Sequence, residues 1–377
     1  MMHLAMHDAL NAVERRYEAF AFDGPEAEVG SAAAGPIAAA AHAAFAVAIA
    51  QYPDRRTELE DELARWVGAA GGGALASSRT IGESAARAVL ATRAGDGWDR
   101  EAEYTWHPMG PGVYAEFHEH SDTPVGFVFG AGWAKARPFL LERADQFRSP
   151  PPPAIDSPAY TRAFDEVASV GRHESTTRTA DQTHLAMWWK DFVESSHNRL
   201  ARQLARQDEL DPWRAARMFA LLNASIFDAY VGVFDNKFHY NHWRPYTAIR
   251  WAANDGNPDT EPDPAWDNLH HHTYAFPSYP SAHGCASAAA MTALADTFGA
   301  ERRFRMFTPT VDAAGPMSGK IAMQPPYRSF ASFDAAAREA AASRVYLGIH
   351  FRYDSEQGHD LGCEIGGYAV EHYLRAR

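Results

Sequence analysis

Three short segments carry residue types that can do chemistry together. The first is Lys237-Phe238-His239-Tyr240-Asn241-His242-Trp243-Arg244-Pro245. At about 100° per residue, seven steps make roughly 700°, so a helix through this segment puts Lys237 and Arg244 within about 20° of one face. Two cations on one stripe repel each other weakly in water and gain from an anion placed beside them. The bland alternative is a solvated face that Pro245 ends. The second segment, Pro277-Ser278-Tyr279-Pro280-Ser281-Ala282-His283-Gly284, runs into an apolar helix and sets Ser281 at its N-cap. First-turn N–H groups lack intrahelical partners and carry the positive end of the dipole, which makes an oxyanion cradle. Ser281 adds a hydroxyl donor and His283 a titratable imidazole; alone, the pattern reads as an ordinary cap. The third segment is Ser343-Arg344-Val345-Tyr346-Leu347-Gly348-Ile349-His350-Phe351-Arg352-Tyr353-Asp354. Arg344 offers a planar fork to an oxyanion. His350 and Asp354, at i and i+4, can pair so that one ring nitrogen is fixed and the other is free to attack or ligate; the alternative is a surface ion pair.

Other constellations fail on their details. Asp255, Asn257 and Asp259 have the odd spacing of a calcium loop, but Thr260 stands at the sixth position and Trp266 at the twelfth, where glycine and glutamate are needed. Gly71-Gly72-Gly73 follows a helical pattern and reads as a connector. His270-His271-His272 reads as a solvated loop run, and His239 and His242 as scaffold neighbours. There is no G-x-S-x-G elbow.

Helical spacing dominates the elements that must position these groups. It predicts helices over Leu4–Phe20, Pro36–Tyr52, Arg56–Trp66, Ser78–Thr92, Ala180–Glu194, Pro212–Lys237, Ser281–Phe298 and Phe333–Tyr346. Val125–Phe129 is the best extended piece, and Asn254–His272 reads as a long surface loop. Ser149-Pro150-Pro151-Pro152-Pro153 separates residues 1–148, an N-terminal helical region, from 149–377, a C-terminal helical bundle. The fold class is all-α.

The chain has 377 residues, 46% hydrophobic, with 35 Lys plus Arg against 48 Asp plus Glu, a net charge of −13. Such an acidic chain without a basic run is not expected to bind nucleic acid or an anionic membrane surface. Two cysteines, Cys285 and Cys363, exclude a disulfide scaffold and a multi-cysteine zinc module. The uncharged stretch Val29–Pro53 is alanine-rich and interrupted by Pro36, so no membrane span is expected. No signal peptide is visible. The expectation is a soluble, by default cytoplasmic, protein, although the sequence opens directly in a helical pattern as if residues preceded it.

In order, Lys-x6-Arg-Pro, Pro-Ser-x-His and Ser-Arg-x5-His-x3-Asp resemble the signature shared by vanadium-dependent haloperoxidases, bacterial acid phosphatases and type 2 phosphatidic-acid phosphatases. The haloperoxidase branch is the most similar. Asp255-Gly256-Asn257, Ala154-Ile155-Asp156-Ser157-Pro158 and the opening Met2-His3-Leu4-Ala5-Met6-His7-Asp8-Ala9 extend that likeness. Ala282 departs from it, since the family usually has glycine there.

The resemblance implies a helical bundle of that family's type with an added N-terminal layer, and vanadate as cofactor in a site that also accepts phosphate. It makes His350 the vanadate ligand, oriented by Asp354. Lys237, Arg244, Ser281, Arg344 and the backbone N–H of Ala282 or Gly284 become the oxyanion donors. His283 is the acid–base group, and Lys237 polarises bound peroxide. The implied substrates are halide, hydrogen peroxide and an organic acceptor. With phosphate ester instead, His350 becomes the nucleophile and His283 the acid for the leaving group. A non-catalytic oxyanion binder is the third reading. Chain length and the wider similarity favour the peroxidase, the expected lack of membrane spans separates the chain from the integral-membrane lipid phosphatases, and a homodimer is among the allowed assemblies.

Overall fold

The computed structural model describes residues 1–24, 35–69, 75–100 and 103–377. The glycine run 71–73 and the start of the uncharged stretch lie outside the described residues. The protein is mostly helical, in two compact units.

The first unit comprises Met1–Asp96, Ala201–Ala224 and Tyr368–Arg377. It contains α1 (Met2–Val13), α2 (Pro36–Gln51), α3 (Arg56–Ala69) and α4 (Leu75–Thr92). Pro36 opens α2 at its first turn, as expected of a residue that needs no N–H partner there. Alanines on α2 allow a close approach by α4: a Cβ on Gly82 would lie 2.4 Å from the Ala39 carbonyl. The predicted helix to Phe20 stops at Val13. Asn11 Oδ1 accepts the N–H groups of Arg16 and Tyr17 at 3.1 and 2.8 Å, and the buried Asp8 carboxylate accepts those of Phe20, Ala21 and Phe22. Side-chain oxygens have replaced helical carbonyls.

The second unit comprises Gly97–Leu200 and Ser225–Gly367. The polyproline segment lies within this unit. Its helices include α5 (His118–Ser121), α6 (Pro158–Val170), α7 (Ala180–Trp188) and the first half of α8 (Val193–Gln207). Then come the part of α9 (Pro212–Tyr240) from Ser225 on, α10 (Pro245–Trp251), α11 (Ala282–Phe298), α12 (Phe333–Leu347) and α13 (Arg352–His372) as far as Gly367. The helix expected over Ala180–Glu194 is broken after Trp188, where the chain turns to bury Trp189 and Lys190. By length and composition α9 is apolar enough to cross a membrane, and 72% of that stretch is buried within the protein.

Two further expectations are corrected. Val125–Phe129 forms turns with exposed side chains; the strands are β1 (Phe304–Phe307), β2 (Thr310–Asp312), β3 (Lys320–Ala322) and β4 (Tyr327–Phe330). They pair antiparallel as β1–β4 and β2–β3, with Phe304 opposite Phe330 and Thr310 opposite Ala322. Asn254–His272 is the long irregular segment expected, with exposed residues interleaved with buried ones that anchor it through hydrogen bonds. Asp255 accepts from the Asn257 N–H and the Thr260 hydroxyl, Trp266 Nε1 donates to Ala168 O, and Asn268 Nδ2 donates to His272 O. His270 and His272 are buried, so the triple-histidine run is not solvated; only His271 is exposed.

Gly348 ends α12 with φ +86°, and a Cβ there would fall 2.4 Å from Gly171 O and 2.7 Å from Asn268 Cβ. Gly348→Ala is expected to lose about 1–2 kcal/mol to left-handed strain and about 1–3 kcal/mol to overpacking. A urea unfolding midpoint equal to that of the parent would contradict this account.

Candidate active site

The chemistry-bearing residues of all three segments lie in the second unit and come together around Phe276. Lys237 sits in the last turn of α9, fully buried. Its Nζ donates to Pro277 O at 2.8 Å and Ser278 O at 2.6 Å, and lies 5.1 Å from the Phe276 ring. Arg244 does not continue that helix. Asn241 takes a left-handed φ of 49°, the helix ends at Tyr240, and Arg244 becomes the N-cap residue of α10. The single-helix stripe expected for Lys237 and Arg244 is therefore incorrect, but the turn brings both cations to the same ring. Arg244 Cζ stands 4.6 Å from the Phe276 centroid, its Nε donates to Phe276 O, and its Nη1 donates to Ile349 O at 2.8 Å.

Ser281 caps α11 as expected, accepting the Gly284 N–H at 3.3 Å. That N–H is consequently spent, and a Cβ on Gly284 would meet Ala341 and Ser355, so Gly284 faces packing rather than a ligand. This corrects the expectation of a Gly284 donor. The N–H groups of Ala282 and His283, in the first turn, have no intrahelical acceptor. His283 is half-buried, and its Nε2, shielded from water, has no hydrogen-bond partner. Burial, reinforced by Arg344, holds its pKa well below the usual imidazole range.

His350 lies in the connection before α13, not in a helix. Its Nδ1 is 2.9 Å from Asp354 Oδ2 and 3.2 Å from Ser278 Oγ, and its Nε2 is 3.1 Å from Arg244 Nη1. Arginine has no lone pair to offer, so Nε2 is the acceptor and Nδ1 carries the proton toward Asp354. Asp354 Oδ2 also accepts from Ser278 Oγ and from the Phe351 N–H at 3.1 Å. Burial, then the cations Arg244, Lys237 and Arg344, keep His350 well below its ordinary pKa. Burial pushes the Asp354 carboxyl up to about 7 against the pull of Ser278 and Lys237. Arg344, in the last turn of α12, donates from Nη1 to Trp189 O at 3.1 Å, while its Nε has no partner; neither has Arg244 Nη2.

A cavity of about 630 Å³ opens onto Ala282, His283, Arg344 and His350, with Phe127, Phe129, Trp133 and Phe234 among its apolar walls. Lys237, Arg244, Ser281, Gly284 and Asp354 are not among its lining residues. Three residues of this region were not singled out from sequence. Ser278 was inside a quoted motif, but its link between His350 and Asp354 is tertiary. Phe276, under two cations, carried no signal. Lys190 lines the cavity, donates from Nζ to Ala314 O at 2.7 Å, and is drawn down to about 7 by burial and then by Arg344.

Ser278→Ala removes a hydroxyl that orients the His350–Asp354 pair. It is expected to weaken inorganic oxyanion binding roughly 10–100-fold, the usual cost of losing an orienting partner. Equal sulfate affinities by calorimetry would refute that role. The depressed His283 also sets a pH dependence. An anion beside it raises its pKa, so by reciprocity affinity for sulfate should strengthen as pH falls through the acid range, with proton uptake. Heats of binding that do not vary with buffer ionisation enthalpy would exclude that uptake.

Residues 217–377 match the family model described as the VCPO second helical-bundle domain. A vanadium chloroperoxidase from Curvularia inaequalis is 23% identical over 291 residues, 61% of this chain and 46% of that one, so the chain spans about half the length of that curated relative. The crystal structure of the first bacterial vanadium-dependent iodoperoxidase superposes with a TM-score of 0.79 at 25% identity, covering 99% of this chain and 90% of that chain. A holo-type bacterial vanadium-dependent chloroperoxidase gives 0.70 at 19% identity, covering 98% and 89%. The chain thus shares the fold of bacterial vanadium-dependent haloperoxidases over nearly its whole length, and its C-terminal residues 217–377 match the second helical-bundle domain of that family model.

Proposed function

We propose that this protein binds vanadate and oxidises halide with hydrogen peroxide, passing the oxidised halogen to organic acceptors. One observation carries the reading: three buried cations and a neutral, tautomer-fixed imidazole converge with Asp354 as the fully buried carboxylate beside them. Unpartnered donors at Arg244 Nη2 and Arg344 Nε stand there too. Buried N–H groups without acceptors cost free energy, and a small multiply charged oxyanion would satisfy them. The donor set fits vanadate. His350 Nε2 would ligate it, Arg244, Arg344 and Lys237 would neutralise its oxygens, and Ser281 Oγ with the Ala282 and His283 N–H groups would complete the cradle. When bound, vanadate supplies a Lewis-acidic centre that makes peroxide electrophilic toward halide.

The chain's own residues do the rest. Asp354 and Ser278 hold the His350 proton on Nδ1 and so keep Nε2 available. His283 Nε2, unpartnered and held neutral by burial, accepts a proton from incoming peroxide and returns it to the leaving oxygen. Lys237 has two of its three donors on carbonyls, leaving one for an anionic oxygen. The apolar cavity walls exclude water from the reacting atoms and offer surface to an organic acceptor.

The same residues would serve phosphate-ester hydrolysis, with His350 Nε2 as nucleophile. The assay therefore has two arms: protein loaded with orthovanadate is tested for peroxide-dependent bromide and iodide oxidation, and vanadate-free protein for p-nitrophenyl phosphate hydrolysis. Halide oxidation in the first arm supports the proposal; ester hydrolysis alone replaces it with the phosphatase, and neither activity with tight oxyanion binding leaves a non-catalytic binder. His350→Ala should lose both vanadate affinity and turnover. His283→Ala should retain affinity within a modest factor and lose roughly 10²–10⁴-fold in turnover. Loss of vanadate binding in His283→Ala but not in His350→Ala would reverse these roles. Arg344→Ala and Lys237→Ala should each weaken vanadate binding by about 2–5 kcal/mol; unchanged affinity in both would place the site elsewhere.

A further inference from the structure

Outside the oxyanion cluster, two helices of the second unit bring together an acid, an imidazole and a thiol. Asp334 lies in the first turn of α12, His359 and Cys363 are at i and i+4 on α13, and their ligand atoms all fall within 4.8 Å of one another. His359 Nε2 is 3.0 Å from Asp334 Oδ1 and 3.7 Å from Cys363 Sγ. We propose that Asp334, His359 and Cys363 bind one zinc-like divalent transition-metal ion.

The distances support this. Zinc bonds of about 2.0–2.1 Å to nitrogen, 2.3 Å to sulfur and 2.0–2.2 Å to oxygen at tetrahedral angles give edges of about 3.5 Å for N···S and 3.4 Å for N···O. The observed separations differ from these by a few tenths of an ångström, within reach of side-chain adjustment. His359 Nδ1 faces Asp360 Oδ1 at 3.2 Å, a carboxylate that would hold the Nδ1 proton and present Nε2 to a metal. Arg338 Nε donates to Asp334 Oδ2 at 2.7 Å, which fixes that carboxylate while leaving Oδ1 for the ion. The His359 side chain is 4% exposed and that of Asp334 56%, so the site has a buried floor and an open mouth, with a fourth position for water. On binding, the Cys363 thiol and the His359 Nε2–H each lose a proton to solvent as the S–metal and N–metal bonds form, and the Asp334–His359 hydrogen bond gives way to two metal bonds. None of the three residues lines the cavity, and Asp334 lies ten residues, about 15 Å of helix, from Arg344. The ion would clamp α12 to α13, the helices that carry Arg344 and Asp354.

The test uses the full chain stripped with chelator. Zinc titration by calorimetry should show saturable binding of one ion per chain, and cobalt should give a thiolate-to-metal charge-transfer absorption. Cys363→Ser should abolish that band and weaken zinc by at least about tenfold. His359→Gln should remove binding. Zinc should raise the unfolding midpoint of the parent but not of Cys363→Ser, a conservative change expected to fold. The proposal is overturned if no saturable binding occurs. It is equally overturned if the cobalt complex lacks the thiolate band and Cys363→Ser keeps parental zinc affinity, since the ion would then sit elsewhere, for example on His270 and His272.

Discussion

Burying positive charge without enough negative charge to balance it is the constraint on which the second unit depends. Lys237, Arg244 and Arg344 are all removed from water, and Asp354 is the carboxylate among them. A charge taken from water into a low-dielectric interior is costly unless dipoles or ions replace its hydration. Here backbone carbonyls do much of that work: Pro277 and Ser278 for Lys237, Phe276 and Ile349 for Arg244, and Trp189 for Arg344. Each carbonyl belongs to a segment that must leave regular structure to turn its oxygen inward. The irregular stretches at 189–192, 273–281 and 348–351 are thus part of the solvation of the cations, not slack between helices.

That constraint also explains which features were legible in the sequence. Local chemistry was readable: Ser281 as a cap, Pro36 at a first turn, and the apolar helix that follows His283 all rest on contacts within a few residues. The His350–Asp354 pair was readable as a pair but not in its setting, because His350 precedes α13 and is held by Ser278 from a distant segment. The identities of Lys237 and Arg244 were visible, whereas their geometry was not. A left-handed Asn241 between them carries little sequence signal, and their meeting at Phe276 is a product of tertiary folding. The segment 254–272 is legible as an irregular polar loop, whereas the burial of Asp255, Asn257, Thr260 and Asn268 within it is not, because it depends on hydrogen bonds these side chains make. The hairpins in 304–330 escaped because strands of three or four residues show no usable alternation.

The family likeness and the physical reading meet at different levels. Shared fold extends over nearly the whole chain, while identity stays near a quarter or below. What the fold contributes is the placement of the first turn of α11, the last turn of α12 and the connection before α13 around one point. Ala282 illustrates the tolerance of this arrangement: its first-turn N–H is as good a donor as that of glycine, and its added methyl faces the cavity.

The apolar lining of that cavity has a consequence for traffic through it. An anion that reaches Arg344 through this cavity has Phe127, Phe129 and Trp133 among its walls, surfaces that return none of the hydrogen bonds it had with water. Entry is therefore graded by dehydration: compact ions that hold their shell tightly meet a steep threshold, and large, diffuse ions a low one. Uncharged organic molecules experience the reverse field, being drawn in by partition. The passage thus sorts solutes by how weakly water holds them before any reacting group is reached.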